Sequence, residues 1–288
     1  MSYEPDDSDI EGSRAPLMEH LVELRHRLIV SLIAFGVAVV ICYFFSKELF
    51  GLVIRPYEVA QGVVAAQKAP GKHGMFDVIL VLLGIIPAPP IQRATMIYTA
   101  PLEQFLTYLK ISGIAGLVLA FPVIGYQLYR FIAPGLYKRE RNAFLPFLVA
   151  SPVLFLMGAA LVYFVMLPYV MVFTLNQQIE GVAQYLPRVD DYLKLATTLL
   201  LAMGLCFQLP VILTLLGIAG IVNAQALSAG WRYAVVGVFA VAAVVTPPDP
   251  ISMLSLAFPI CALYFVSIWC VKLIELRRGK EDAGEGES

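Results

Sequence analysis

An all-α integral membrane fold with six spanning helices follows from three features of the sequence. Charge is scarce, the apolar residues gather in six long runs, and Lys and Arg are unevenly shared among the segments joining those runs. Of the 288 residues, 59% are hydrophobic and 14% charged, with mean hydropathy +0.79. Soluble domains carry about 25% charged residues, so the deficit points to a bilayer.

The runs are Leu28–Phe45, Phe105–Tyr129, Phe144–Tyr169, Leu195–Leu216, Tyr233–Thr246 and Ile251–Val271. A span needs about 20 mostly apolar residues, and backbone groups in hydrocarbon must be satisfied within the segment, so each run reads as a helix. An even number of spans puts both termini on one side. With the termini cytoplasmic, twelve of the 20 Lys and Arg lie inside and seven outside, with Lys110 just within the second run. Five of those seven lie in one long segment, where the charge rule is weak; the short stretch Arg130–Arg141, with four, decides the orientation.

The six runs form one membrane domain, residues 17–271, between a disordered acidic N-terminal tail (1–16) and a charged cytoplasmic C-terminal tail (272–288), of which Gly279–Ser288 is expected to be disordered and solvated. Residues 46–102 are expected as an external loop with an interfacial apolar segment at about 75–90, closed by Pro87, Pro89 and Pro90. The fifth run has fourteen residues, about 21 Å of helix against a hydrocarbon core of about 30 Å. Pro122, Pro152, Pro210 and Pro259 fall within runs and bend helices. Kinked helices of unequal length predict a cupped bundle.

Three places hold polar residues with chemistry to offer. The first, His20–Leu28, precedes the first run; Leu17, Leu21, Leu24 and Leu28 recur at helical spacing and predict an amphipathic entry helix at the membrane surface. Glu23 and Arg27 stand four apart there, the spacing of an intrahelical ion pair. The second, Tyr129–Asn142, has a Pro134-Gly135 turn and sets Glu140 among three bases; a topology determinant and a binding carboxylate are both open readings. The third is Gln208, midway along the fourth run, for which a helix–helix hydrogen bond is the plain reading. Glu103, Lys110 and Asp249 lie near the outer ends of runs. The four cysteines lie inside apolar runs, so no metal or cofactor site is indicated, and the net charge of −1 gives no reason to expect nucleic acid.

The stretches HLVELRHRL, TAPLEQFLTYLKIS (Thr99–Ser112), FIAPGLYKRER, FQLPV (Phe207–Val211) and TPPDPISM (Thr246–Met253) carry a resemblance to one family. From about Leu17 to Val271 the chain resembles the TatC proteins, the multi-spanning receptor subunits of the twin-arginine translocase. The resemblance implies a receptor that binds twin-arginine signal peptides of folded precursors at the cytoplasmic face of the cell inner membrane. It also implies single-span TatA and TatB partners in a hetero-oligomer of several copies, surrounding lipid, and transport driven by the proton-motive force. By position, Glu23 and Glu140 match the family's signal-binding carboxylates, and Arg25, Phe131, Pro134, Leu136 and Tyr137 its recognition surface. Pro56 and Glu103 match functional positions at the outer edge, as Asp249 lies in the TPPDPISM motif. Gln208 matches a position that is Glu in some members; glutamine cannot ionise, so a proton carrier there is not expected.

Two other classes compete. A secondary transporter of small solutes lacks support from mid-membrane ionised residues or an evident repeat. An intramembrane enzyme lacks GxSxG and HExxH motifs, and His20, His26 and His73 all fall outside the runs.

Overall fold

The computed structural model describes residues 7–67, 75–87, 96–132, 138–177, 187–246 and 250–285. Those residues form helices α1 (Asp7–Phe44), α2 (Ser46–Gln67), α3 (Met75–Leu82), α4 (Glu103–Ile132) and α5 (Lys138–Leu161). A π-helical turn (Val162–Met166) leads into α6 (Leu167–Asn176), followed by α7 (Val189–Cys206), α8 (Leu209–Ile218), α9 (Ala224–Val245) and α10 (Pro250–Glu285). Six stretches are long and apolar enough to cross a membrane: Leu21–Phe44, Glu103–Leu128, Val149–Asn176, Val189–Ile218, Ala224–Val245 and Ser252–Leu276. The fold is a bundle of six kinked, unequal helices.

Two spans are interrupted, each at a proline. Leu167 N–H bonds Val162 O, five residues back, just before Pro168. Pro168 has no N–H to return to the preceding turn, and widening that turn relieves its ring. The fourth span breaks between Cys206 and Leu209, ahead of Pro210. Glycines bring helices close at two crossings. A Cβ on Gly204 would lie 2.6 Å from the Phe155 ring, and one on Gly116 would lie 2.8 Å from the Val39 backbone N. Close approach of this kind supplies the dispersion contact that holds helices together in lipid, where apolar burial gives little.

Burial is concentrated in the middle of the bundle. Of the apolar window in each span, 44% is buried in the fourth and 39% in the third, but 11% in the first and 6% in the fifth. The main core joins α2, α3, α6 and α7 through Tyr57, Val63, Val78, Leu167, Tyr192 and Leu199.

Five features depart from the sequence expectation. Residues 46–67, expected as loop, form α2, whose Ile54, Tyr57, Val59, Ala60 and Val63 are buried. Four charges, Lys47, Glu48, Arg55 and Glu58, hide this helix from a search for apolar runs. The interfacial segment ends earlier than its prolines imply. Gly84 takes φ +75° and its N–H bonds Val81 O at 3.0 Å, while Ile85 N–H bonds Leu80 O at 2.9 Å, a glycine-terminated helix end. Val78, Val81 and Leu82 are buried, so α3 packs on the bundle.

The entry helix is no separate surface element, because α1 runs unbroken from Asp7 to Phe44. That helix starts within the expected 1–16 tail, and α10 continues through the expected 272–288 tail to Glu285. The fifth span has 22 residues in place of fourteen, about 33 Å of helix. It begins eight residues before Arg232, where Asn223 caps it by accepting Ala226 N–H at 2.6 Å.

Candidate functional site

Chain connectivity gathers the candidate residues at the two ends of the bundle. The end that bears the termini carries the start of the first span and the finish of the second. There Arg27 Nε donates to Glu23 Oε1 at 3.1 Å, and Arg27 Nη2 donates to the same oxygen. The intrahelical pair read from the spacing is therefore formed. Its two sides differ in exposure, with the Arg27 side chain at 12% and the Glu23 side chain at 34%. Arg25, on another face of α1, is exposed.

At the end of α4, Phe131 is half-buried and Arg130 is exposed with its guanidinium 5.9 Å from the Tyr126 ring centroid. α4 packs along α1, which brings this end beside Glu23. Glu140 belongs to the first turn of α5, and its side chain lies outside the described residues. Pro134, Leu136, Tyr137 and Asp249 also lie outside them.

The opposite end is knit around Glu103. Its Oε2 accepts Thr99 N–H at 2.5 Å, Ala100 N–H at 3.0 Å and Thr99 Oγ1–H at 3.2 Å. Oε1 accepts Asp190 N–H at 3.3 Å from the start of α7. A carboxylate in the first turn of α4 thus caps its own helix, interacts favourably with the helix dipole and ties down the segment before α7. Around it Ile97 N–H bonds Pro187 O at 3.3 Å, Val189 N–H bonds Ile97 O at 3.2 Å, and Arg188 Nη2 donates to Thr99 Oγ1 at 2.5 Å. Lys110 and Asp190 form an ion pair between α4 and α7.

Pro56 lies buried within α2. Lacking an N–H, it leaves Leu52 O without its helical donor, and Tyr163 O–H from the π-helical turn bonds that carbonyl at 2.9 Å. The neighbouring Val53 O accepts Tyr192 O–H at 2.7 Å. Gln208 is buried and doubly bound to one residue on α5. Its Oε1 accepts Ser151 Oγ–H at 2.7 Å and its Nε2 donates to Ser151 O at 3.0 Å. The helix–helix hydrogen bond expected of Gln208 is present, and it sits where α7 gives way to α8.

Sequence reasoning missed Tyr163, Tyr192, Ser151, Arg188 and Asp190. Two had a usable signal: Pro56 predicts an orphan carbonyl four residues back, and Gln208 predicts a polar partner at its depth. Among the described residues, no group of three or more His, Cys, Asp or Glu is placed to hold a metal.

A helical bundle with six membrane-crossing stretches, a polar network at one end and an exposed charged helix at the other defines a multi-pass membrane protein. Residues 19–259 match the family model for the Sec-independent protein translocase protein TatC. The chain belongs to the TatC family. It is 39% identical over 277 residues to the Sec-independent protein translocase protein TatC of Magnetococcus marinus, covering 96% of this chain and 91% of that one. A chloroplastic relative from Arabidopsis thaliana is 37% identical over 270 residues, covering 93% and 68%. The fold matches a crystal structure of the twin-arginine translocase receptor TatC with TM-score 0.68 and 32% identity, over 88% of this chain and 98% of that chain. Family membership gives the chain a part in protein transport and sets aside the small-solute transporter.

Proposed function

We propose that this chain is a non-enzymatic receptor for twin-arginine signal peptides, reading the two arginines with Glu23 and Glu140 at the end that bears the termini. Glu23 carries the reading: it is a carboxylate held in place by Arg27 yet 34% exposed, in a motif at the family's recognition region. Fixed carboxylates accept bidentate hydrogen bonds from guanidinium groups, which ammonium groups do not match. Arg25 on α1, Phe131 at the end of α4, and Pro134, Leu136 and Tyr137 complete the proposed surface. Pro56, Glu103, Gln208 and Asp249 act at a distance from the peptide.

The membrane is the cell inner membrane, with both termini cytoplasmic, and transport uses the proton-motive force through TatA and TatB. The fifth span offers a docking face for a single-span partner, because only 6% of its apolar window is buried. At 22 residues the fifth span is long enough for the hydrocarbon core, and its exposed Val236, Ala240 and Val244 mark the docking face.

The test is precursor binding to the detergent-purified complex, compared for twin-Arg and twin-Lys signals. Replacing either glutamate by Ala should weaken twin-Arg binding at least about tenfold, since a hydrogen bond to a charged group contributes roughly 1.5–3 kcal/mol. A Glu23→Ala/Glu140→Ala protein that keeps the wild-type preference for twin-Arg would overturn the assignment.

A further inference from the structure

The inner half of the contact between α9 and α10 contains a cleft of about 340 Å³, lined by Ser228, Trp231, Phe265 and Ile268. Its walls are mostly apolar. The Trp231 and Phe265 ring centroids are 6.3 Å apart, Tyr264 O–H bonds Leu227 O at 2.9 Å, and Ser228 Oγ–H is spent on Ala224 O at 2.6 Å. The cleft lies at the end of the bundle that bears the termini, since α9 begins there and α10 finishes there.

Two exposed cations border it. Arg232 stacks over the Trp231 ring, its guanidinium carbon 5.8 Å from the centroid. Lys272 is one helical turn beyond Ile268, toward the terminus-bearing end. Among the described residues neither forms an ion pair with a carboxylate. Glu275, the acid nearest in sequence to Lys272, turns away to accept Ala224 N–H at 2.8 Å.

Arg232 stands eight residues, about 12 Å, along a helix whose apolar window is only 6% buried in the bundle. An unpaired guanidinium at that depth is costly unless it reaches an anion. Side chains on a helix tilt toward its N-terminus, which here is the terminus-bearing end, so Arg232 is directed back toward the lipid headgroups. Trp231 has the amphipathic character of residues found at that level.

We propose that this cleft is a binding site for an anionic phospholipid, with an acyl chain along the apolar wall of Trp231, Phe265 and Ile268 and the phosphate on Arg232 and Lys272. Basic pockets between spanning helices hold anionic headgroups in this manner. The apolar walls favour a lipid over free phosphate, which has nothing to lay against that wall.

Trp231 reports on its own occupant once Trp269, the only other tryptophan, is removed. Full-length Trp269→Phe protein is reconstituted in phosphatidylcholine vesicles containing brominated phosphatidylglycerol or brominated phosphatidylcholine. Half-maximal quenching should need about fivefold less of the anionic lipid, the ratio given by about 1 kcal/mol. Arg232→Gln/Lys272→Gln should bring the two lipids to equality, and Arg232→Lys, which keeps the charge, should retain most of the preference. Equal quenching in the parent, or a preference that survives the double charge removal, overturns the site.

Discussion

At one end of the bundle Glu103 is 6% exposed and accepts four hydrogen bonds, three of them from backbone N–H groups. At the other end Glu23 shares a helix face with Arg27, and its side chain is 34% exposed. Both are glutamates at the entrance to a span, and both fall within the residues that match the family model. Their surroundings give them different work. The Glu103 oxygens are occupied by the chain itself, so removing them strands donors that the fold has already desolvated. The Glu23 side chain is 34% exposed and its bond to Arg27 stays within one helix, which leaves it open to the proposed role as an acceptor for an arriving peptide. Glu103 is therefore a structural tie, while Glu23 is the proposed contact.

The comparison requires the two ends to face opposite sides of the membrane, and that requirement has an all-or-none test. In a protein whose four native cysteines are replaced, single cysteines at Arg93 and Arg188 should react with an impermeant thiol reagent added outside. A cysteine at Arg139 should react only after the membrane is opened. External labelling at Arg139 would break the six-span topology and the comparison with it.

The next largest effect separates stability from binding. Glu103→Ala should lower the melting temperature of the purified protein by several degrees and reduce its level in membranes, because three backbone donors lose their acceptor. Glu23→Ala should cost less stability than Glu103→Ala, because its bond to Arg27 lies within one helix, while weakening precursor binding. Thermal unfolding in detergent measured beside precursor affinity resolves the two. A Glu103→Ala protein that melts like wild type would show that the carboxylate is no tie.

The sequence reveals the six spans because a bilayer demands long apolar runs, and hydropathy reads that demand directly. It hides α2, whose buried face is fixed by packing against α3 and α6 and whose charges lie on the remaining surface. It hides the first eight residues of the fifth span helix for a related reason: Arg232 looks like a boundary, although its long side chain lets the helix pass through. At the site, the Glu23–Arg27 pair is readable because it is local, four residues apart on one helix. The bond from Asp190 N–H to Glu103 spans 87 residues, and the Gln208–Ser151 bonds span 57, so each depends on which helices meet. Spacing along the chain does not encode that meeting; the Pro168 and Pro210 breaks and the Gly158 and Gly204 crossing do.

The smallest effect tests how far the Glu103 end of the bundle is tied together beyond Glu103 itself. Pro56 cannot donate to Leu52 O, and Tyr163 O–H does so from the π-helical turn, so the tyrosine bond compensates for the proline. Tyr163→Phe in the native background should cost about 1 kcal/mol, because a carbonyl in a packed helix then lacks a donor. With Pro56→Ala the backbone N–H returns to Leu52 O, and the same Tyr163→Phe change should cost close to nothing. The coupling read from this double-mutant cycle isolates the pair from general losses of packing, since both cycle arms remove the same hydroxyl. Unfolding free energies in detergent supply the four corners. Equal costs for Tyr163→Phe with and without Pro56 would mean that the tyrosine does not substitute for the missing helical donor. A coupling near the full cost would show that Pro56 and the π-helical turn are one unit, fixing α2 to the third span just as Glu103 fixes the start of α4 to α7.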